Sequence, residues 1–232
     1  MVSKTGSLFI VSTPIGNLGD ITYRAIETLR NVPLIAAEDT RHTLKLLAHY
    51  DISTPLISYF EHNKFSRIPK LIKHLTSGKN LAVVTDAGTP GISDPAYKLV
   101  REAIAIDSTV ESVPGPSAFL AALVSSGLPT DRFIFEGFLP KKKGQKKRIQ
   151  NLKSESATII IYENKNRLIK TLNNLLEVLG DRPAVVAREL TKLHEEIIRG
   201  TLAECIAYFS TKGARGECII LVGKDGPNVY FN

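Results

Sequence analysis

The chain has 232 residues, 43% of them hydrophobic, and a formal net charge of +7. That composition excludes an intrinsically disordered chain, and the basic excess suits a polyanionic partner. Cys205 and Cys218 form no CxxC motif, which excludes a disulfide framework and a zinc-type site, so no metal is expected.

The first apolar run, Leu8 to Val11, is too short for a signal peptide or a membrane span, so a soluble, cytoplasmic protein without membrane attachment is expected. It reads as a buried strand. The loop Ser12 to Asp20 follows, rich in Gly, Pro and Asn; it has neither GxGxxG spacing nor a P-loop ending. Asp20 is expected to cap a helix running through Asn31. Pro33 to Ala37 is a second strand, ending in Glu38-Asp39-Thr40-Arg41-His42. These ionisable residues are either acid–base and substrate-binding groups or a helix start capped by Asp39 or Thr40, with His42 as a solvated helix residue. Pro55 to Tyr59 is a third strand. Ile68, Leu71, Ile72 and Leu75 then recur at helical spacing, and Gly78 ends that helix.

Leu81 to Val84 is apolar throughout, as a strand buried on both faces must be. The loop Asp86 to Pro95 holds two glycines and two prolines, and Asp94-Pro95 reads as an N-cap followed by a first-turn proline. Such a loop between a strand end and a helix start is where open α/β sheets bind ligands. Val100, Ala103 and Ile104 are expected to face inward from the next helix. Thr109 to Val113 is a fifth strand, leading through Pro114-Gly115-Pro116-Ser117-Ala118 into a helix ending at Ser126. Three Gly/Pro loops at strand ends of one sheet imply a built pocket.

Beyond Thr130 the pattern changes. Phe133 to Phe138 is a strand. Seven of the thirteen residues from 141 to 153 are basic and none is acidic. Lys141, Lys142, Lys143, Lys146, Lys147 and Arg148 therefore form a candidate phosphate-contacting segment; with no aromatic residue among them, base stacking is not its task. Ala157 to Tyr162 is a strand and Leu168 to Leu179 a core-facing helix closed by Gly180. Pro183 to Ala187 is a strand followed by Arg188-Glu189-Leu190-Thr191. His194 to Arg199 reads as an antiparallel strand, Thr201 to Thr211 as a helix and Cys218 to Val222 as the last strand. Both cysteines are assigned to packing, and Pro227 to Asn232 to a loose tail.

Four segments together, Ser-Thr-Pro-Ile-Gly-Asn-Leu-Gly-Asp at 12–20, Ala-Glu-Asp-Thr-Arg at 37–41, Thr-Asp-Ala-Gly-Thr-Pro-Gly-Ile-Ser-Asp-Pro at 85–95 and Pro-Gly-Pro-Ser-Ala at 114–118, resemble the tetrapyrrole methylase superfamily. More narrowly they are similar to its branch of small-subunit ribosomal RNA ribose 2′-O-methyltransferases. Gly-Phe-Leu-Pro at 137–140, Ala-Arg-Glu-Leu-Thr at 187–191 and the Glu-Glu…Arg-Gly segment at 195–200 agree, so the resemblance runs from about residue 8 to 223.

The resemblance implies two α/β domains, residues 1–116 with a parallel sheet and 117–232 with a mixed sheet. It implies S-adenosylmethionine in a cleft between them, usually in a homodimer. Carried over by motif, Pro14, Asp86, Gly88, Ile92, Ser117, Ala118, Tyr162 and Leu190 would bind the cofactor. The implied substrate is a cytidine ribose in the decoding region of small-subunit (16S) rRNA, free or in the 30S subunit. Two departures stand out. Many members continue into a C-terminal helical segment where this sequence stops at Asn232. The stretch Glu163-Asn164-Lys165-Asn166-Arg167 also lacks the proline and histidine of the usual Glu-(Ser/Ala)-Pro-His-Arg.

A sulfonium methyl is already activated, so in-line alignment supplies much of the catalysis. A ribose hydroxyl is a weak nucleophile that benefits from a base or a nearby cation. Asp39, Asp86 and Glu189 are the candidate bases, and Arg41 and Arg188 the candidate cations. Two alternatives stand beside the rRNA methyltransferase: a methyltransferase of the same fold acting on a corrin or porphyrin precursor, and a non-catalytic RNA-binding module.

Overall fold

The computed structural model describes residues 5–141, 144–226 and 228–231, so Lys142, Lys143 and two of the tail residues lie outside the described residues. The chain divides into two compact units, Met1–Ser117 and Ala118–Asn232.

Unit 1 is built on five parallel strands: β1 (Leu8–Val11), β2 (Ile35–Ala37), β3 (Leu56–Ser58), β4 (Leu81–Val84) and β5 (Val110–Val113). Their order is β3-β2-β4-β1-β5. The helices are α1 (Tyr23–Asn31), α2 (Thr40–His49), α3 (Lys64–Thr76) and α4 (Ala96–Ala105). Leu29 of α1 and Leu47 of α2 pack with Val11, Ala37 and Val84 on one face of the sheet. Leu71 and Leu75 of α3 and Leu99 and Ala103 of α4 pack with Leu8, Ala36 and Val83 on the other. With both faces covered, successive residues of β1, β2 and β4 are all apolar rather than alternating. β1 and β4 are neighbours, yet the helices that follow them cover opposite faces. Their C-terminal ends therefore form the topological switch point at which open α/β sheets leave a crevice.

Unit 2 holds β6 (Phe133–Phe138), β7 (Thr158–Asn164), β8 (Pro183–Arg188), β9 (Glu196–Thr201) and β10 (Glu217–Val222) in the order β6-β7-β10-β8-β9. Only the β6–β7 pair is parallel. The helices are α5 (Ala118–Ser126), α6 (Gly144–Asn151), α7 (Leu168–Leu179) and α8 (Leu202–Lys212). Ile149, Leu172, Leu175 and Phe209 from α6, α7 and α8 share a core with Ile159, Ile161, Val186 and Ile220 of the sheet. α5 lies against β7, β8 and β10. Among the described residues no helix is long and apolar enough to cross a membrane.

Several expectations need correcting. Asp20 closes a short 3-10 turn, and Thr22 caps α1 instead, accepting from Ala25 N at 3.1 Å. Of the two caps expected for α2, Asp39 is the one used, accepting from Arg41 N. Ile104 is 57% exposed while Ala103 is buried, because one residue along a helix turns the side chain away from a narrow apolar stripe. The tail is docked: Val229 is buried, and Tyr230 donates its hydroxyl hydrogen to the Asp181 carbonyl at 3.2 Å. Both cysteines are buried, and desolvation pushes their thiols up to about 12 for Cys205 and about 11 for Cys218. They are inert packing groups in the reduced form.

Gly6 marks the opposite end of unit 1. A Cβ built there would lie 2.0 Å from the Lys79 carbonyl oxygen, and Gly6 N donates to Leu75 O at 2.8 Å. Gly6→Ala is therefore expected to destabilise unit 1 by about 3 kcal/mol through overpacking. Urea unfolding would measure this, with activity per folded molecule unchanged because the substitution is remote from the strand C-termini.

Candidate cofactor and acceptor site

Three loops leave adjacent strands, β4, β1 and β5, and are stitched together. Thr13 and Gly88 exchange both backbone hydrogen bonds, at 2.9 and 3.0 Å. Thr13 Oγ1 donates to the Thr85 carbonyl at 3.2 Å. Ser12 and Thr89 share a hydroxyl hydrogen bond of 2.9 Å, and Thr89 Oγ1 donates to Pro116 O at 3.2 Å. Gly88 has φ +83°, the left-handed region that favours glycine, and a Cβ on Gly115 would come within 3.0 Å of Ser12 Cβ. The glycines are thus fixed by loop-to-loop approach.

Beside the stitched loops lie three carboxylates. Glu38 accepts from the Thr85 hydroxyl and from Asp86 N. Asp86 Oδ1 accepts from Asp39 N at 3.0 Å. Asp39 caps α2 and is gripped by Arg41, whose Nε and Nη2 donate at 3.1 and 2.7 Å. These charge-assisted bonds hold the Asp39 carboxyl well below the usual carboxylate range. Asp86 is shifted the other way, first by burial and then by the negative charge of Glu38. Two neighbouring carboxylates are thereby separated in basicity: Asp39 is a committed anion, and Asp86 the better proton acceptor.

A pocket of about 230 Å³ opens against this edge, lined by Thr13, Pro14, Leu18, His42, Lys45 and Asp86 among others. It brings Pro14 and Asp86 together, while Asp39 and Arg41 adjoin it through the Asp39–Asp86 bond. Gly88 shapes the loop behind it. Ile92 is 39% exposed on the same long loop, and Ser117 is the last residue of unit 1. Sequence reasoning overlooked Thr13, Thr85 and Lys45, and His42 is a pocket residue as well as a solvated one. His42 and Lys45 are three apart on α2 and so share a face, a signal that was present.

The remaining predicted residues belong to unit 2. Ala118 opens α5. Tyr162 accepts from Phe119 N at 3.2 Å, packs edge-on against Phe135 and Phe138, and has its hydroxyl pushed up to about 12 by burial. Leu190 is buried. Glu189, in the left-handed region at φ 49°, accepts from Glu217 N at 2.9 Å and from Lys192 at 3.1 Å. These donors hold its carboxyl below the ordinary range. Arg188 is occupied by Glu196 at 2.6 Å.

The basic segment is less naked than its sequence suggests. Lys146 pairs with Glu177 on α7 at 2.8 Å and Arg148 with Glu136 on β6 at 2.6 Å. Among the described residues of the segment Lys141, Lys147 and Lys153 have no ion-pair partner, and all three are exposed.

The fold and loops have known counterparts. Residues 7–206 match the family model of Tetrapyrrole (Corrin/Porphyrin) Methylases. The uroporphyrin-III C-methyltransferase of Thermus thermophilus, solved in complex with S-adenyl homocysteine, superposes with a TM-score of 0.66 at 19% identity, over 94% of this chain and 97% of that one. The architecture is that of the tetrapyrrole methylases. Much closer in sequence are two proteins named ribosomal RNA small subunit methyltransferase I. That of Synechocystis is 53% identical over 94% of this chain and 79% of its own length. That of Thermotoga maritima is 49% identical over 95% of this chain and all of its own. The chain belongs to the tetrapyrrole methylase family and, within it, to the ribosomal RNA small subunit methyltransferase I group.

Proposed function

We propose that the chain methylates the ribose 2′-hydroxyl of a cytidine in the decoding region of 16S rRNA, using S-adenosylmethionine, and that it works as a homodimer in the cytoplasm. The observation that carries the reading is the arrangement at the lip of the stitched pocket, where half-buried Asp86 stands beside Glu38 with no cation on it among the described residues, while Asp39 is held by Arg41. The acceptor needs a group that takes a proton as the hydroxyl attacks, and Asp86 is the carboxylate whose surroundings favour protonation.

The pocket suits the cofactor chemically. Its backbone-lined loops approach closely, and the anionic edge of Glu38, Asp39 and Asp86 complements a ligand carrying sulfonium and ammonium charges. Pro14, Thr13 and Asp86 would hold it. When bound, S-adenosylmethionine supplies an activated methyl group. The chain's own part is orientation and proton acceptance: Asp86 accepts the hydroxyl proton, and Lys45 and Arg41 offer cationic partners to RNA phosphates. Lys141 and Lys147 add sequence-independent affinity. For the homodimer, the support is the apolar surface of α5, where Leu120 is 43% and Val124 74% exposed; a second copy would cover it.

The test is methyl transfer from labelled S-adenosylmethionine to small subunits lacking the modification, with the product nucleoside identified by mass spectrometry. A 2′-O-methylcytidine is the expected product. Label in another nucleoside would overturn the assigned target, and no label in RNA would overturn the substrate class.

A further inference from the structure

Another surface lies at the same end of the unit 1 sheet. The segment Phe60-Glu61-His62-Asn63-Lys64-Phe65 follows β3, and all five strands of that sheet are parallel. It therefore emerges at the edge that carries the pocket. β3 is separated from β4, the strand leading to Asp86, by β2 alone, or about 10 Å at ordinary strand spacing.

This segment is unusual in what it leaves uncovered. Phe65 is 69% exposed in the first turn of α3, whose packing is done by Leu71 and Leu75. Its ring is not bare of cations. Lys98 Nζ, from α4, stands 4.2 Å from the ring centroid and Lys64 Nζ stands 5.4 Å away. Phe60, 36% exposed, meets His62 edge-on with centroids 6.2 Å apart. Asn63 fixes the turn by accepting from Phe60 N at 2.9 Å and donating to Ser58 O at 3.2 Å. Glu61 is the one acidic side chain of the segment and is engaged by Lys64, while Lys98 and the nearby Arg67 are positive.

A solvent-facing aromatic ring on a fixed turn, with the Lys98 ammonium beside it, has the composition of a single-stranded nucleic-acid platform: rings stack bases and cations meet the phosphates. The basic segment of unit 2 lacks that aromatic half. We propose that Phe65, with Lys98 beside it and neighboured by Phe60 and His62, stacks an unpaired base of the RNA strand that delivers the acceptor nucleotide to the pocket. The inference rests on RNA being the acceptor and adds where the strand runs: from the pocket across β2 toward β3. A base held there fixes the register of the strand, so the platform serves substrate positioning.

The experiment exploits the absence of tryptophan from the chain. Phe65→Trp places a single indole on the platform. Titration with a short single-stranded oligoribonucleotide is expected to quench its fluorescence saturably, whereas the same oligonucleotide made abasic is expected to leave it unquenched. In parallel, Phe65→Ala is expected to weaken oligonucleotide binding by roughly tenfold, the scale of one base–aromatic stack, and to raise KM for small subunits without altering KM for S-adenosylmethionine. Phe65→Trp should restore both. Unquenched fluorescence, equal quenching by the abasic strand, or Phe65→Ala binding within twofold of wild type would each overturn the platform. A wild-type chain that transfers no methyl group to small subunits would overturn the proposed function alone, because the quenching comparison reads the platform without catalysis.

Discussion

Asp86→Asn is expected to slow methyl transfer to RNA by about a hundredfold to a thousandfold, the range of a lost general base, while leaving the fold intact. Asparagine keeps an oxygen that accepts from Asp39 N but has no useful proton affinity. Burial and Glu38 raise the proton affinity of Asp86 in the folded chain. Its favourable contribution to stability is thus present below the unfolded carboxylate value and lost as pH rises through the raised one, so at neutral pH the charge is a net cost to folding. The asparagine variant should melt no lower than wild type, and in a thermal scan at pH 7 somewhat higher. Wild-type kcat/KM should fall as pH drops through the raised Asp86 value, and the variant's residual rate should lack that limb. A variant with near-normal rate would remove Asp86 from the chemistry. By contrast Asp39, already bound by Arg41 and the first turn of α2, should affect stability when replaced, through loss of a helix cap worth about 1 kcal/mol.

Arg167→Ala is expected to cost unit 2 about 3 kcal/mol, read by urea unfolding, because it strands a buried carboxylate. The Glu163 side chain is fully buried and accepts from Thr171 Oγ1 at 2.6 Å and Asn164 N at 2.7 Å, with Arg167 Nη2 at 3.3 Å. Arg167 also donates to the carbonyls of Leu139 and Pro140 at 3.1 and 3.3 Å, immediately before the lysines. The network continues through Thr171 to Gln145 on α6, at 2.9 Å, and from Gln145 to Asn174, at 2.7 Å. The basic segment is therefore anchored at both its entry and its first helical turn. Replacing both partners, Arg167→Met with Glu163→Leu, should recover most of the stability yet leave RNA affinity reduced, since the carbonyls of 139 and 140 lose their donor. Equal stability of the single and double variants would show that the pair is not what holds this corner.

This corner also shows what the sequence could and could not disclose. Glu163 and Arg167 were visible as the retained ends of an altered motif, but their roles depend on Leu139 and Pro140, more than twenty residues away. Strands β1, β2 and β4 were legible because both faces of the first sheet are covered there, which makes each of them an unbroken apolar run, whereas edge strand β5 carries Glu111 and Ser112. The three loops were legible because Gly and Pro interrupt those runs. Strand order was not, since nothing local places β4 between β2 and β1, and without it Thr13, Lys45 and Asp86 cannot be seen to converge. The basic segment misled for the same reason. Its counter-charges, Glu136 and Glu177, come from β6 and α7, so a window that contains no acid is still partly neutralised. Asp20, the expected cap of α1, is taken up by the 3-10 turn, and Thr22 caps the helix in its place.

The position of β10 in its sheet bears on how the protein is made. Unit 1 has all five of its strands by residue 113, so a nascent chain can close that sheet while translation continues, and N-terminal domains generally do fold first. Unit 2 cannot do the same. Its central strand is the last to be synthesised, and until Glu217–Val222 emerge, the β6–β7 pair and the β8–β9 hairpin have no strand between them. During that interval their inner edges are exposed to wrong partners. A ribosome stalled shortly before residue 217 should therefore display a protease-resistant first half and a labile second half, with resistance spreading to the whole only when the final strand is free to insert.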